Sequence, residues 1–240
     1  MFDDIAMIWF DLDQTLCDHV SAARQAHRDL RAADPAWEAI PEERWLAEYA
    51  RVNDALWAKL RQETRPWDEI RVVRFRTFTR NLALATDRAE WMAEHYIEQY
   101  IARTTLIPGA RETVRRLREQ GWPVGVITDG SSWVQRRKLE VSGLGALLHP
   151  MITPDEAGAF KPEPRIFQFA AESVGMPSTS HLYAGDSWET DILGARNAGW
   201  SAIWVNAEIS GELVRLDDRT VRVGAIADVP GVLPTTPSKR

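Results

Sequence analysis

The sequence predicts an α/β protein in which a parallel sheet carries helices on its faces and a block of helices is inserted after the first strand. Two observations predict this fold. From Leu106 onward, short apolar runs alternate with helical segments, which is typical of a parallel sheet covered by helices. From about residue 20 to residue 103 the chain has no strand pattern and is rich in Ala, Glu, Arg and Leu. We therefore expect a core domain of residues 1–18 and 104–240 and a helical domain of residues 19–103.

The first predicted strand covers 5–10 and precedes the helical block. Proline ends a helix or opens the next, so we expect breaks in that block at Asp34-Pro35, Ile40-Pro41 and Arg65-Pro66. Beyond the block, apolar runs predict strands over 124–127, near 151–152 and over 182–184, and a last strand over 202–205.

Helices are expected between these strands, from Pro108-Gly109 to residue 118 and over 132–142, 164–174 and 189–198. A glycine follows each of them, at the place where a left-handed residue commonly ends a helix: Gly121, Gly143, Gly175 and Gly199. The tail from about residue 228 is rich in Pro and Thr, and we expect it to fray.

Composition limits the class of protein. The 240 residues fit one domain that carries a sizeable insertion. The net charge is −6 and neither sign is collected in a long block, so we expect neither a nucleic-acid polymer nor a membrane surface as partner. The single cysteine, Cys17, excludes an internal disulfide, and the first residues lack the basic and apolar parts of a secretory signal. These observations predict a cytoplasmic protein.

Four short polar clusters each lie just after an apolar run that predicts a buried strand. They are Asp11 with Asp13; Thr128, Asp129 and Gly130; Lys161; and Asp186 with Asp191. The carboxyl ends of parallel strands meet at one edge of a sheet, so groups far apart in sequence converge there. Together the clusters suit a site that handles phosphate.

Asp11 and Asp13 are two residues apart, which in extended backbone points both side chains to the same side. One carboxylate can then attack as a nucleophile while the other gives and takes a proton. The alternative is that this Asp-x-Asp-x-Thr segment merely ends a strand in a turn, where Asp and Thr are common.

The cluster after the second strand can bind an anion. The hydroxyl of Thr128 and the backbone N–H groups after it form a cradle, in which Gly130 allows close approach of the backbone. The alternative is simple helix capping by Ser131 or Ser132. Lys161, in a loop, can offset the charge of a phosphoryl oxygen, although most single lysines are only solvated.

The predicted edge carries too many acids for one lysine to balance. Besides Asp11 and Asp13 it contains Asp129, Asp186 and Asp191. Asp191 could be present only because the helix dipole favours an acidic residue in the first turn of its helix. Oxygen ligands with room for water suit Mg²⁺, which would let neighbouring carboxylates stay ionised. The charges therefore predict a divalent cation in the site.

In order and spacing, the four clusters resemble those of the haloacid dehalogenase (HAD) superfamily. The resemblance implies a Rossmann-like three-layer core, with the helical insertion as a type 1 cap domain. It also implies that Asp11 is the nucleophile that forms an aspartyl-phosphate and that Asp13 is the general acid and base. Thr128 with the amides of Asp129 and Gly130 would hold the phosphoryl group, and Lys161 would steady it and the nucleophile.

The resemblance also implies a ligand set for Mg²⁺: Asp11, Asp186 and the backbone carbonyl of Asp13, with Asp191 in support. For Asp13 to donate a proton near neutral pH, we expect its pKa to be raised by neighbouring carboxylates. Relatives that cleave carbon–halogen bonds look different at the position of Asp13, so phosphate transfer is favoured. Asp129 stands where many relatives have Asn, which bears on substrate contacts.

The segments 52–57 and 186–195 look like the pyrimidine 5′-nucleotidase branch of the superfamily. We therefore expect hydrolysis of a small phosphorylated metabolite, first of all a nucleoside 5′-monophosphate, by a monomer or homodimer. Trp57 and Trp67 could stack on a base or could equally be core. Open alternatives are a phosphatase of a sugar phosphate or phosphoglycolate, a phosphomutase, a 2-haloacid dehalogenase, and a module that only binds a phosphorylated ligand.

Overall fold

The computed structural model describes residues 2–60, 67–206 and 213–238, with the backbone alone for 67–69. The chain divides into two compact units, which we call the sheet unit (Met1–His19 with Thr105–Arg240) and the helical unit (Val20–Thr104). The predicted break at Arg65-Pro66 lies outside the described residues, and so does the side chain of Trp67.

The sheet unit contains a seven-stranded sheet in the order β3-β2-β1-β4-β5-β7-β6. Its strands are β1 (Met7–Phe10), β2 (Val124–Ile127), β3 (Met151–Ile152), β4 (His181–Gly185), β5 (Ser201–Val205), β6 (Val214–Arg215) and β7 (Thr220–Val223). All neighbours pair parallel except β6 and β7, which pair antiparallel. The predicted α/β class with a parallel sheet is therefore confirmed.

The register of the central strands aligns their carboxyl ends. Phe10 at the end of β1 pairs with Val126 on one side and with Ala184 on the other. The residues that follow these strands therefore share one edge of the sheet. β1 is buried along its whole length because helices cover both faces, which explains its uninterrupted apolar sequence.

Two predictions about the end of the chain were wrong. The strand over 202–205 is not the last, since β6 and β7 follow it. The tail does not fray at residue 228 either, because Ile226–Val232 forms a 3₁₀ helix whose apolar Val229 is buried in the core. Thr113 Oγ1 donates to the carbonyl of Ile226 at 3.0 Å, and Ser238 N donates to the carbonyl of Ile5 at 2.9 Å.

The sheet unit contains the four predicted helices in the predicted order, together with one short helix over 154–157 that was not predicted. They are α6 (Ala110–Glu119), α7 (Ser132–Val141), α8 (Pro154–Ala157), α9 (Pro164–Val174) and α10 (Leu193–Asn197), with a short 3₁₀ turn at Ser178–Ser180. All four predicted glycine stops adopt positive φ angles, between 65° and 87°. The helix expected over 189–198 begins instead as a π-helical turn, Trp188–Ile192, in which Ser187 O accepts from Ile192 N at 3.2 Å.

The helical unit contains the first helices of the chain. They are α1 (His19–Ala32, whose first residue belongs to the sheet unit), α2 (Pro35–Glu38), α3 (Glu42–Leu60), α4 (Trp67–Asn81) and α5 (Ala89–Ala102). As predicted, Pro35 opens a helix, and the side chain of Asp34 accepts from Ala36 N at its start. Trp37 and Trp45 are buried in an aromatic core with Phe78. Among the described helices of both units, none has the length and apolar character that a membrane crossing requires.

Candidate active site

Lys161 lies at the centre of a buried charge cluster at the carboxyl edge of the sheet. Its Nζ donates to Asp11 Oδ1 at 2.6 Å and to Asp191 Oδ1 at 2.7 Å, and all three side chains are buried. Its backbone N–H donates to Asp129 Oδ1 at 2.9 Å, which holds the loop of Lys161 beside the end of β2. Burial would lower the pKa of Lys161, but the carboxylates of Asp11 and Asp191 outweigh it and raise that pKa well above its ordinary value.

Tyr183 completes the surroundings of Lys161 and was missed in the sequence. Its hydroxyl accepts from Lys161 Nζ at 3.0 Å and donates to the carbonyl of Ile127 at 2.8 Å. Burial raises the pKa of Tyr183 well above its ordinary value, so it stays neutral. A tyrosine within a fully buried strand needs a polar partner for its hydroxyl, and that signal could have pointed to it.

Asp11, Asp186 and Asp191 form an oxygen cluster in which one carboxylate oxygen from each lies within 4.8 Å of the others. Burial, followed by the charge of Asp191, raises the pKa of Asp186. Burial also raises the pKa of Asp11 well above its ordinary value, against the pull of Lys161. A second cation would relieve both carboxylates, and Mg²⁺ prefers ligands of this chemistry.

The three carboxylates of this cluster are not equally engaged. Asp191 uses both oxygens within the protein, one for Lys161 and the other for Ser187 N at 3.1 Å. Asp191 lies in the π-helical turn, and such turns are frequent at functional sites. Asp186 is partly exposed and is held by Thr15 Oγ1, which donates to its Oδ1 at 3.2 Å. Asp11 and Asp186 thus fit a metal better than Asp191 does.

Asp13 faces a different environment from Asp11. Its carboxylate pairs with Lys138 Nζ through Oδ1 and accepts from Gln135 Nε2 at 2.9 Å through Oδ2. Desolvation would raise the pKa of Asp13, but Lys138 and, to a smaller degree, His19 outweigh it and lower that pKa below its ordinary value. The expectation that neighbouring carboxylates raise it is wrong, because the charges nearest to Asp13 are cationic.

Sequence reasoning missed Lys138 and Gln135. Both lie on α7, on the buried stripe that also contains Val134 and Leu139. Polar residues within an otherwise apolar stripe of a helix that starts at a predicted phosphate loop are the signal that could have found them.

Gln135 also connects Asp13 to Thr128. Its Nε2 donates to Thr128 Oγ1 at 2.6 Å, and Thr128 is buried. A Cβ on Gly130 would lie 2.5 Å from Gln135 Nε2, so the glycine provides the space for this amide. Ser131 makes no capping hydrogen bond with its side chain, and Ser132 Oγ pairs with Thr153 Oγ1 at 2.6 Å. The capping alternative therefore does not account for the cluster.

The structure gathers every residue predicted for the site at one sheet edge, in two adjoining groups. Lys161 joins Asp11, Asp191 and, through its backbone, Asp129, with Asp186 beside them; Gln135 joins Asp13 to Thr128 beside Gly130. An ammonium group, paired carboxylates and a buried hydroxyl can together carry out nucleophilic displacement with proton transfer. Their individual roles stay predictions.

Comparisons with known proteins agree with this geometry. The haloacid dehalogenase-like hydrolase family matches residues 5–199. Pyrimidine 5′-nucleotidase YjjG of Escherichia coli K12 is 29% identical over 203 residues, covering 83% of this chain and 85% of the relative. Glyceraldehyde 3-phosphate phosphatase of Pyrococcus furiosus is 28% identical over 203 residues, covering 83% and 80%.

Solved structures show the same fold. The HAD-hydrolase YfnB from Bacillus subtilis, in a crystal structure bound to magnesium, matches with a TM-score of 0.78 at 22% identity, covering 95% of this chain and 98% of that one. The family match extends over most of the sequence and includes all four polar clusters. The chain therefore belongs to the haloacid dehalogenase-like hydrolase family, as its motifs predicted.

Proposed function

We propose that this chain is a Mg²⁺-dependent phosphoric monoester hydrolase that acts through an aspartyl-phosphate on Asp11. The observation that carries the proposal is the bonding of Lys161 to both Asp11 and Asp191, with Asp186 beside them. A carboxylate held by a buried ammonium group and bordered by oxygen ligands suits attack on the phosphorus of a phosphoryl group, whose oxygens carry negative charge. The names of the relatives, a nucleotidase and a phosphatase, support the same reaction class.

The oxygen cluster would hold the metal. Asp11, Asp186 and the backbone carbonyl of Asp13 are the proposed ligands, and Asp191 would support them through Lys161. When bound, Mg²⁺ would neutralise charge on the phosphoryl oxygens and on the surrounding carboxylates. Without it, the raised pKa of Asp11 opposes the ionised form that a nucleophile needs.

The chain's own residues would divide the reaction as follows. A carboxylate oxygen of Asp11 forms a bond to phosphorus while the bond from phosphorus to the ester oxygen breaks, and Asp13 gives a proton to the departing oxygen. Because Lys138 keeps the pKa of Asp13 low in the free protein, Asp13 has to take up that proton when the negatively charged phosphate binds beside it and raises its pKa. Water then attacks the phosphorus of the acyl phosphate, Asp13 accepts a proton from that water, and Asp11 is released. Thr128 and Lys161 stabilise the phosphoryl oxygens throughout.

For the substrate, we propose nucleoside 5′-monophosphates. The likeness to pyrimidine 5′-nucleotidase YjjG supports this choice, and the likeness to a glyceraldehyde 3-phosphate phosphatase supports a small sugar phosphate as second candidate. Phosphate release with Mg²⁺ from pyrimidine and purine nucleotides, glyceraldehyde 3-phosphate and phosphoglycolate tests both. A clear preference for a pyrimidine nucleotide is expected, and preference for a non-nucleotide would overturn the choice.

Two further product measurements separate the other reaction classes. Transfer of the phosphoryl group without release of free phosphate would indicate a phosphomutase, and halide release from a 2-haloacid would indicate a dehalogenase.

Asp11→Asn should remove turnover and leave the circular dichroism spectrum unchanged. Asp218→Asn, at an exposed carboxylate of the sheet unit, is the matched control and should keep full activity. Retained turnover in Asp11→Asn would contradict the assignment of the nucleophile.

A further inference from the structure

The carboxylate of Asp13 is held by two side chains from one helix. Lys138 Nζ pairs with its Oδ1, and Gln135 Nε2 donates to its Oδ2 at 2.9 Å. The side chain of Lys138 is only 1% exposed, whereas that of Asp13 is 31% exposed. The buried partner thus comes from the helix, and part of the Asp13 side chain remains exposed.

We propose that Lys138 and Gln135 are positioning residues that orient Asp13 for proton transfer to and from the substrate. The inference rests on the proposed function, in which Asp13 acts as general acid and base. Neither α7 residue is assigned contact with the substrate; both act through Asp13.

A purely structural role explains Lys138 poorly. Burying an ammonium group is costly, and an apolar side chain of similar length would pack beside Val134 and Leu139 without that cost. Asp13, being partly exposed, would be solvated without Lys138. What the pair supplies is orientation, because two donors on the two oxygens fix both the position and the plane of the carboxylate.

Gln135 also holds Thr128, the residue predicted to bind the phosphoryl group. The same Nε2 that donates to Asp13 donates to Thr128 Oγ1 at 2.6 Å, and Gly130 provides the space it occupies. The acid and the hydroxyl that would bind the phosphoryl group are therefore held at a constant separation by one amide. A general acid must reach the departing oxygen at hydrogen-bonding distance, so this separation sets the efficiency of proton transfer.

The test compares two phosphate esters that differ in their need for an acid. An alkyl ester, such as the preferred nucleotide, requires a proton on the departing oxygen, whereas 2,4-dinitrophenyl phosphate releases a stable anion. The value of kcat/KM reports the steps up to departure of the alcohol. For Lys138→Met we expect kcat/KM to fall by about tenfold to a hundredfold on the alkyl ester and by less than about threefold on the aryl ester.

Two further variants complete the comparison. Lys138→Arg keeps the charge and should restore most of the activity on the alkyl ester. Arg137→Met removes a positive charge one residue away on the same helix, where the side chain is exposed and pairs with Glu140, and should leave both esters unaffected. If Lys138→Met does not fold, Lys138→Gln removes the charge, keeps a polar side chain at the same place and leaves the contact of Gln135 with Thr128 intact, so it gives the same comparison.

Each outcome either supports or overturns the positioning role of Lys138 and Gln135. Loss confined to the alkyl ester and restored by arginine supports the inference, whereas equal losses on both esters, or no loss, overturn it. If the wild-type protein releases phosphate from neither ester, the proposed function itself is wrong and the inference falls with it. Turnover by wild type together with equal losses removes the inference alone.

Discussion

Acid should destabilise the helical unit through one buried residue, His27. Its side chain is 2% exposed, and its Nδ1 accepts from Trp45 Nε1 at 3.2 Å. The ring of Tyr49 lies 4.1 Å away, centroid to centroid, and within the described residues Nε2 has no hydrogen-bond partner. Burial, with a contribution from the charge of Arg74, lowers the pKa of His27 from 6.5 to about 3.

The sign of the effect follows from where the proton binds. Well above pH 6.5 neither the folded nor the unfolded chain protonates this residue, so it contributes no pH dependence there. Below that value the unfolded chain takes up a proton that the folded chain refuses, and the free energy of unfolding falls by about 1.36 kcal/mol per pH unit. Between pH 7.5 and pH 5.0 the loss due to His27 amounts to about 2 kcal/mol.

A comparison with His27→Gln isolates this contribution. Glutamine can still accept from Trp45 but does not titrate, and the carboxylates of the chain are the same in both proteins. Urea denaturation at the two pH values should show the wild type losing about 2 kcal/mol more than the variant. Amide hydrogen exchange assigns the transition to the helical unit.

The exposed His149, changed to Gln, is the matched control for this comparison and should lose as much stability as the wild type. Equal losses in the wild type and His27→Gln would refute the reasoning, because His27 would then not be held neutral in the folded protein.

Three further predictions concern the sheet edge. Mg²⁺ at about 100 times its Kd should stabilise the wild type by about 2.7 kcal/mol in thermal unfolding, and Asp186→Asn should lose most of this gain. Lys161→Met should lower the free energy of unfolding without metal by about 3–5 kcal/mol, because two buried carboxylates lose their cation; an effect under 1 kcal/mol, measured in urea, would contradict the buried pairing. Gly130→Ala should displace the Gln135 amide and lower kcat/KM by about tenfold, since its Cβ would lie 2.5 Å from Nε2; unchanged kinetics would show that the amide can move at no cost.

The convergence of the site was predictable because it depends on backbone topology alone. Asp11, Thr128 and Asp186 each follow a strand that pairs parallel with its neighbour, and parallel strands end at a common edge. The prediction that Lys161 lies just after a strand is wrong, because α8 separates it from β3, and its position depends on the bond from its N–H to Asp129. The polar clusters pointed to Lys161 and the family resemblance gave it a role, whereas periodicity could not have predicted its position.

The surroundings of Asp13 were not predictable in the same way. Lys138 lies 125 residues further along the chain, on a helix face where lysine would ordinarily be solvated. Its burial depends on how α7 packs against the end of β1, which single-sequence periodicity does not define. The strands β6 and β7 were missed for another reason, since each contains an arginine, Arg215 or Arg222, and neither forms the uninterrupted apolar run that indicated the buried strands.

The reaction class was easier to predict than the substrate because every residue assigned to the chemistry belongs to the sheet unit. The positions from Asp11 to Asp191 fall within Met1–His19 and Thr105–Arg240, and the helical unit contains none of them. Two relatives with different named substrates match this chain almost equally, at 29% and 28% identity. Sequence identity to these relatives thus reflects the phosphate chemistry that they share, and it does not distinguish one leaving group from another. Choosing a substrate therefore requires side chains that no phosphate motif marks, and the phosphate-release panel addresses that choice directly.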